Sequence, residues 1–294
     1  MPAPEGPSRG ETWSRLNESN AMDWTSSTPY SRDLGDELRH LRQSCTDHTG
    51  AGLAEVLGWD PSKISTIEQG KVRATESDLV QYLTACGQNL GFISEFISRY
   101  RRAFDVCFAQ SADQTRTLLL AERMASSITV YSPTNVPDLL QTASYAEQSL
   151  LSSGASPDEI QSTVDSILER QKTLYAHNAP LPTFYLTEKA LDPRTHDRNV
   201  LRGQVTHLLR MARVVRLIPT GGKFPLVDDC TLIEYGNMPT VVFTGTHVAK
   251  IFVQEKPAVA RCRSLFQKLD RTSVSPEQSI ALLIDLHDTL GSGQ

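Results

Sequence analysis

The stretch from Pro61 to Arg73 carries Lys63, Lys71 and Arg73 against Glu68 as its single carboxylate. A local excess of cations suits phosphate contacts, whose strength depends on arrangement rather than on charge averaged over a chain. Arg99, Arg101 and Arg102 form a second basic cluster. The average points the other way: net charge is −5, and residues 1–110 hold 11 Lys or Arg against 15 Asp or Glu. Catalytic and metal-binding sets are thin. The seven histidines are scattered and none forms an HExxH pair. Cys45, Cys86, Cys107, Cys230 and Cys262 form no CxxC pair, so zinc is not expected and the thiols read as free in a reducing cytoplasm. Gly221-Gly222-Lys223 lacks the spacing and the following hydroxyl of a phosphate loop and reads as a hairpin turn. These observations predict a protein that is not an enzyme and needs no cofactor.

The elements that would position the first basic stretch are short helices. SRDLGDELRHLRQS places Leu34, Leu38 and Leu41 at helical spacing behind Ser31 as N-cap. TGAGLAEVLG breaks at Gly58, and DPSKISTIEQG opens with Asp60 at the N-cap and Pro61 at the first helical position, with Gly70 as its stop. TESDLVQYLTACG and LGFISEFISRYRRAF continue helical. A helix-turn-helix over Thr49 to Gln69 requires a small residue where its two helices touch, a glycine in the turn, and two apolar residues three apart on the second helix. Ala54, Gly58, and the pair Ile64 and Ile67 meet these demands, and Leu53 and Leu57 complete the inner face of the first helix. A generic helical hairpin satisfies each position singly; their joint spacing is what favours the motif.

From Gln114 the texture changes. QTRTLLLAERMASSI, ASYAEQSLLSSG and SPDEIQSTVDSILERQKTLYA read as helices, the last opened by a Ser156/Glu159 capping box. TFYLTEKAL is a short β-like run followed by the helix RNVLRGQVTHLLRMA. VVRLIPT, CTLIEYG, TVVFTG and HVAKIFV are β-branched and aromatic runs between turn residues, and two amphipathic helices close the chain. The expected organisation is a flexible tail over 1–31, an all-α domain over 32–106, and an α+β domain over 107–294 with a small, mostly antiparallel sheet. Trp13 and Trp24 stand out in the polar tail. No apolar run has the length of a membrane span.

The run from Asp60 to Lys71 resembles the recognition-helix signature of the XRE (lambda-repressor-like) helix-turn-helix regulators, including its Ser-x-x-Glu-x-Gly close. Leu57 to Trp59 followed by SKIS is similar to an actinobacterial subgroup with a long C-terminal regulatory domain. Ile128 to Leu151, Leu168 to Leu174 and Leu186 to Leu191 resemble motifs of that domain, so the resemblance covers most of the chain from Asp33. It implies that Pro61, Ser62, Lys63 and Thr66 face the major groove, with Ser65 and Gln69 nearer the backbone. Lys71, Arg73 and Arg42 are then placed for phosphates. Pro61, Gly50, Thr66 and Ala74 depart from the family at positions where relatives often carry Gln, Gln, Arg and Pro. Glu68 is expected to support local packing, and Glu169, Arg170 and Glu188 either line a pocket or pair on helix faces.

The resemblance further implies a cytoplasmic, dimeric, sequence-specific regulator of transcription that binds double-stranded DNA. Its C-terminal domain would sense a small partner protein or ligand. An antitoxin-like protein that sequesters a partner and regulates its own synthesis is the alternative, and an accessory enzyme in the second domain a more distant one.

Overall fold

The computed structural model describes residues 27–219, 228–246 and 248–292. The chain divides after Val106 into two compact units. Residues 1–26 of the tail expected over 1–31, with Trp13 and Trp24, and the turn at Gly221-Gly222-Lys223 lie outside the described residues.

In the first unit α1 spans Pro29–Cys45, α2 Gly50–Leu57, α3 Pro61–Glu68, α4 Glu76–Ala85 and α5 Leu90–Tyr100. The first helix starts earlier than expected. Its N-cap is Thr28, whose side chain accepts from the Ser31 amide, and Ser31 is the reciprocal member of a capping box. Residues 27–31 are therefore not tail: Thr28, Pro29, Tyr30 and Ser31 are buried. A serine before an apolar-periodic run suits either the N-cap or the third helical position. What decides is a tertiary bond, since the Thr28 hydroxyl donates to the Ala103 carbonyl.

Helix α2 ends at Gly58 with φ 65° and ψ 32°, and the Trp59 amide donates to the Ala54 carbonyl at 2.8 Å. This left-handed residue turns the chain so that Asp60 caps α3 by accepting from the Ser62 amide at 2.7 Å. A Cβ on Gly58 would meet nothing within 4 Å, so backbone conformation and not space requires glycine there. At Gly35 space alone requires glycine, and at Gly70, whose φ is 62°, space and conformation both do. A Cβ on Gly35 would lie 2.7–2.8 Å from backbone atoms of Ile67, Glu68 and Gly70, and one on Gly70 would lie 2.3 Å from the Ser31 carbonyl oxygen. The start of α1 thus rests directly on the end of α3, and the Ser31 hydroxyl donates to the Gly70 carbonyl at 2.7 Å. Leu34, Leu38, Leu53, Ala54, Ile64, Ile67, Leu79, Leu83 and Phe96 are buried beneath this contact, while Leu57 is half-buried.

The second unit contains a seven-stranded sheet in the order β1-β7-β6-β5-β2-β3-β4. The strands are β1 Cys107–Ser111, β2 Ser127–Ser132, β3 Leu181–Thr187, β4 Val215–Ile218, β5 Cys230–Glu234, β6 Val241–Gly245 and β7 Ala249–Val253. The helices are α6 Arg116–Arg123, α7 Ala143–Ser152, α8 Pro157–Gln171, α9 Arg198–Arg210, α10 Lys256–Thr272 and α11 Pro276–Gly291. The expectation of a small, mostly antiparallel sheet is corrected: the sheet is larger and mixed, with β2, β3 and β4 parallel. Helices α7 and α8 lie between β2 and β3, and α9 between β3 and β4, which are the long crossovers that parallel pairing requires. The run from Gln114 to Ile128 predicts one helix, whereas its last two residues, Ser127 and Ile128, open β2. Residues 127–132 are extended because they hydrogen-bond to β3 on one side and β5 on the other.

One sheet face carries Tyr131, Tyr185 and Leu232 against Val259, Cys262, Phe266 and Leu269 of α10. The edge at β4 is covered. Leu217 donates its amide to the Ser279 hydroxyl at 3.1 Å, and its carbonyl accepts from the Val274 amide at 2.9 Å. Strand edges left open invite pairing with other chains, so this cover has a physical purpose. Among the described residues, no helix is long and apolar enough to cross a membrane.

Gly35→Ala is expected to destabilise the first unit by about 1–3 kcal/mol, because the new methyl meets backbone that cannot swing aside. Gly58→Val strains only φ, yet a β-branched residue tolerates that region poorly and unfolding should again come earlier. Thermal unfolding of the two variants, followed by helical circular dichroism, checks both; an unchanged first transition for Gly35→Ala contradicts the packing.

Candidate nucleic-acid interface

The angle of α3 against its neighbours is fixed by a buried polar network. Arg42 of α1 donates from Nε to Glu68 Oε1 at 2.7 Å and from Nη2 to Oε2 at 2.8 Å. Its Nη1 donates to the His48 carbonyl at 3.1 Å, just ahead of α2. The Tyr82 hydroxyl of α4 donates to Glu68 Oε1 at 2.7 Å, and Arg39 approaches Oε2 at 3.4 Å. Burial alone would raise the Glu68 carboxyl, but hydrogen bonds from Arg42 and Tyr82 and the charges of Arg42 and Arg39 outweigh it and hold the group below the usual glutamate range. The same bond to Glu68 strengthens the Arg42 cation, and burial together with the adjacent carboxylate raises the Tyr82 phenol.

Arg42 is therefore not available to phosphates as the sequence reading expected. Its side chain is 9% exposed and its donors are engaged with Glu68 and His48. Glu68 does support packing, with partners from α1 and α4 that lie too far away in sequence to be read from periodicity. Nothing in the spacing of Arg42, Glu68 and Tyr82 marks them as a set; the one available signal is a carboxylate in a helix whose flanking Ile67 and Ile64 must face inward.

On its outer side α3 presents Pro61, Ser62 and Ser65 exposed, with Lys63, Thr66 and Gln69 half-buried. The Thr66 hydroxyl donates back to the Ser62 carbonyl at 2.9 Å, and Gln69 Nε2 donates to the Ser65 hydroxyl at 2.9 Å. Lys63 does not project freely. Its Nζ lies 2.6 Å from Asp78 Oδ1 of α4 and 4.0 Å from the centre of the Trp59 ring. Asp78 also accepts from the Thr75 amide, and despite some burial these bonds hold its carboxyl below the ordinary aspartate range. Lys71 is exposed just past α3, and the Arg73 guanidinium lies 5.2 Å from the Phe104 ring centre. Gly50, Ala51, Pro61 and Ser65 line an open groove with Arg39 and Gln43 of α1.

The second basic cluster is largely neutralised. Arg99 pairs with Glu37 of α1 at 2.7 Å and Arg101 with Glu76 of α4 at 2.9 Å. Of the second unit's candidates, Arg170 and Glu169 turn to different partners. Arg170 is buried in a two-pronged pair with Glu122 at 2.7 and 2.9 Å and also meets Asp138 at 2.9 Å. Glu169 pairs on the surface with Arg123 and Lys172.

Comparison with known proteins matches residues 33–90 to a helix-turn-helix domain family. Residues 115–285, more than half of the chain, match a family described as a domain of unknown function, DUF5753. The chain belongs to the DUF5753 family. No curated protein matches it. The solved structure titled as TrmBL2, an archaeal chromatin protein showing a novel mode of DNA binding, covers 81% of this chain and 98% of its own, at 10% identity and a TM-score of 0.26. That level of likeness carries neither fold nor function across. In this DUF5753 protein the helix-turn-helix match encloses α2, Gly58 and α3 together with the network that holds them.

Because the folded Glu68 carboxyl lies below its unfolded value of about 4.3, its contribution is complete above that value and is lost as pH falls through the lower folded one. Glu68→Gln leaves Arg42 buried without a counter-charge and is expected to cost about 3–5 kcal/mol at neutral pH. Its melting temperature should also fall less steeply than the wild type's between neutral and acid pH. Parallel melting curves across that range test this; equal slopes would mean that Glu68 is not the group whose protonation loosens the unit.

Proposed function

We propose that this DUF5753 protein is a sequence-specific DNA-binding regulator of transcription of the XRE, lambda-repressor-like kind, acting in the cytoplasm as a homodimer. The observation that carries the reading is the pairing of α2 and α3 through Gly58, which holds α3 with Pro61, Ser62 and Ser65 exposed in a row. An exposed hydroxyl-bearing helix face of this size suits the edges of bases in a major groove, since Ser and Thr hydroxyls both donate and accept. Lys71 and Arg73 follow α3 where phosphates would flank it. Two copies would present their α3 helices to half-sites about 34 Å apart, one turn of duplex. The second unit would bind a small partner protein or ligand better in one state of the dimer than in another, which is what coupling to DNA requires.

Lys63 enters this reading conditionally on Asp78. It reaches a base edge only by leaving that carboxylate, so the pair sets how much of the cation the DNA receives.

Gel shifts on the chain's own upstream DNA, with competitor duplexes and with or without the product of the neighbouring gene, test the reading as a whole. Binding without preference among competitors would remove its centre. Fluorescence titrations over a salt series separate the residues. Lys71→Ala is expected to weaken all sequences alike and lower the salt slope by about one. Lys63→Ala should instead relax preference at one base pair, at a cost of roughly 1–3 kcal/mol. Asp78→Asn keeps the acceptor that caps α4 but drops the charge that holds Lys63, and is expected to tighten binding and raise the slope by about one. An unchanged slope in Asp78→Asn would make Lys63 a tie between helices and nothing more.

A further inference from the structure

The sulfurs of Cys230 and Cys262 lie 3.0 Å apart. The two residues are separated by strands β6 and β7 in sequence, and meet because the face of β5 that carries Cys230 packs on α10. The surroundings are apolar: Leu232, Val242, Val259, Leu265 and Phe266 belong to the same cluster. Cys262 is buried and Cys230 half-buried. Of the other cysteines, Cys45 and Cys107 are exposed and Cys86 is buried.

We propose that Cys230 and Cys262 are a redox modification site, closed to a reversible disulfide by a peroxide. Geometry carries the proposal. A disulfide requires the two β-carbons within about 3.5–4.5 Å and sulfurs about 2.05 Å apart. Thiols whose sulfurs are already 3.0 Å apart have to close by only about 1 Å.

The cation beside the pair, Arg263, favours Cys262 as the sulfur that reacts first. Either thiol can donate to the other sulfur across this contact, and the charge of Arg263 beside Cys262 favours the Cys262 thiolate despite burial. The thiolate is the nucleophilic form. Cys262 sulfur attacks one oxygen of the peroxide, the O–O bond breaks, and a sulfenic acid forms as the other oxygen leaves as water or alcohol. Cys230 sulfur then attacks the sulfenic sulfur, the S–O bond breaks, and a second water leaves with the Cys230 proton. The protein loses two electrons and two protons, and the peroxide takes them. Without a neighbour in contact, a sulfenic acid proceeds to irreversible oxidation, so the placement of Cys230 confines the chemistry to its reversible part.

The bond would tie the middle of the sheet to α10, which is otherwise held at this end by Arg263 to Glu234 at 2.8 Å and to Thr240 at 2.9 Å. Closing a long loop restricts the unfolded chain, so the oxidised protein should unfold at higher temperature than the reduced one.

The experiment is exposure of the reduced full-length protein to hydrogen peroxide, followed by alkylation, tryptic mapping and melting. The expected result is a monomer lighter by two hydrogen atoms, in which peptide 224–250 is joined to the dipeptide Cys262–Arg263 and thiol reductant separates them. The second unit should melt higher before reduction than after. Cys230→Ser should abolish the cross-link and convert Cys262 to sulfinic acid, whereas Cys107→Ser should leave the cross-link intact. If Cys230→Ser does not fold, the wild-type map and its reversal decide alone. Recovery of both thiols alkylated after peroxide, sulfinic acid at Cys262 in the wild type, or cross-linking through Cys45 or Cys107 would each overturn the proposal.

Discussion

The first unit depends on one carboxylate being held in its interior. Glu68 sits at the end of α3, and Arg42, Tyr82 and, more distantly, Arg39 converge on it. Through the His48 carbonyl, the same arginine also fixes the residue ahead of α2. An apolar cluster in this place would supply burial but no direction. A planar guanidinium bound at two points, with a phenol on a third lone pair, has one geometry. That geometry joins α1, α3, α4 and the entry to α2, and so sets how the proposed reading helix stands. The desolvation of these charges is a cost that the network only offsets, which is why its contribution is orientation more than net stability.

Around it, close approach is arranged by absence of side chains. Gly35 lets α1 lie on the backbone at the end of α3, and Gly70 lets that end bend beneath Ser31. Helix α3 is thus pinned from inside by Ile64 and Ile67 and from its end by a backbone contact, leaving Pro61, Ser62 and Ser65 outward. The side chains with the strongest charge near that surface are not on its crest. Lys63 is drawn sideways onto Asp78 and Trp59, and Arg42 is drawn inward. What remains is a hydroxyl-bearing face flanked by Lys71 and Arg73.

The second unit solves a different problem. Its sheet joins antiparallel strands to three parallel ones, and each parallel step needs a helical crossover that must find a face to pack on. Arg170 anchors α8 to α6 through Glu122, and α11 closes the β4 edge through Ser279. The central strands carry Tyr131, Tyr185 and Leu232 toward α10, and that packing brings Cys230 and Cys262 into contact.

Much of the first unit was legible in the residues. Capping chemistry and turn glycines announced α2, α3 and α4, because N-caps, Pro at the first turn and left-handed glycines are local requirements that local sequence must meet. The joint spacing of Ala54, Gly58, Ile64 and Ile67 marked the motif for the same reason. In the second unit the later strands were visible as β-branched runs. Strand β2 was not, since a short apolar run reads equally as helix or strand until its hydrogen-bonding neighbours are known.

By itself, then, the sequence determined the short helices, most of their ends though not the start of α1, and which face of α3 must turn inward, since these follow from interactions a few residues long. Tertiary structure alone decided the partners of each charge: that Arg42 meets Glu68, that Lys63 meets Asp78, that Arg99 meets Glu37. It also decided the parallel half of the sheet. The physical reason is common to both: an ion pair and a strand pairing are set by which distant segments come into contact, and neither leaves a periodic trace in the chain.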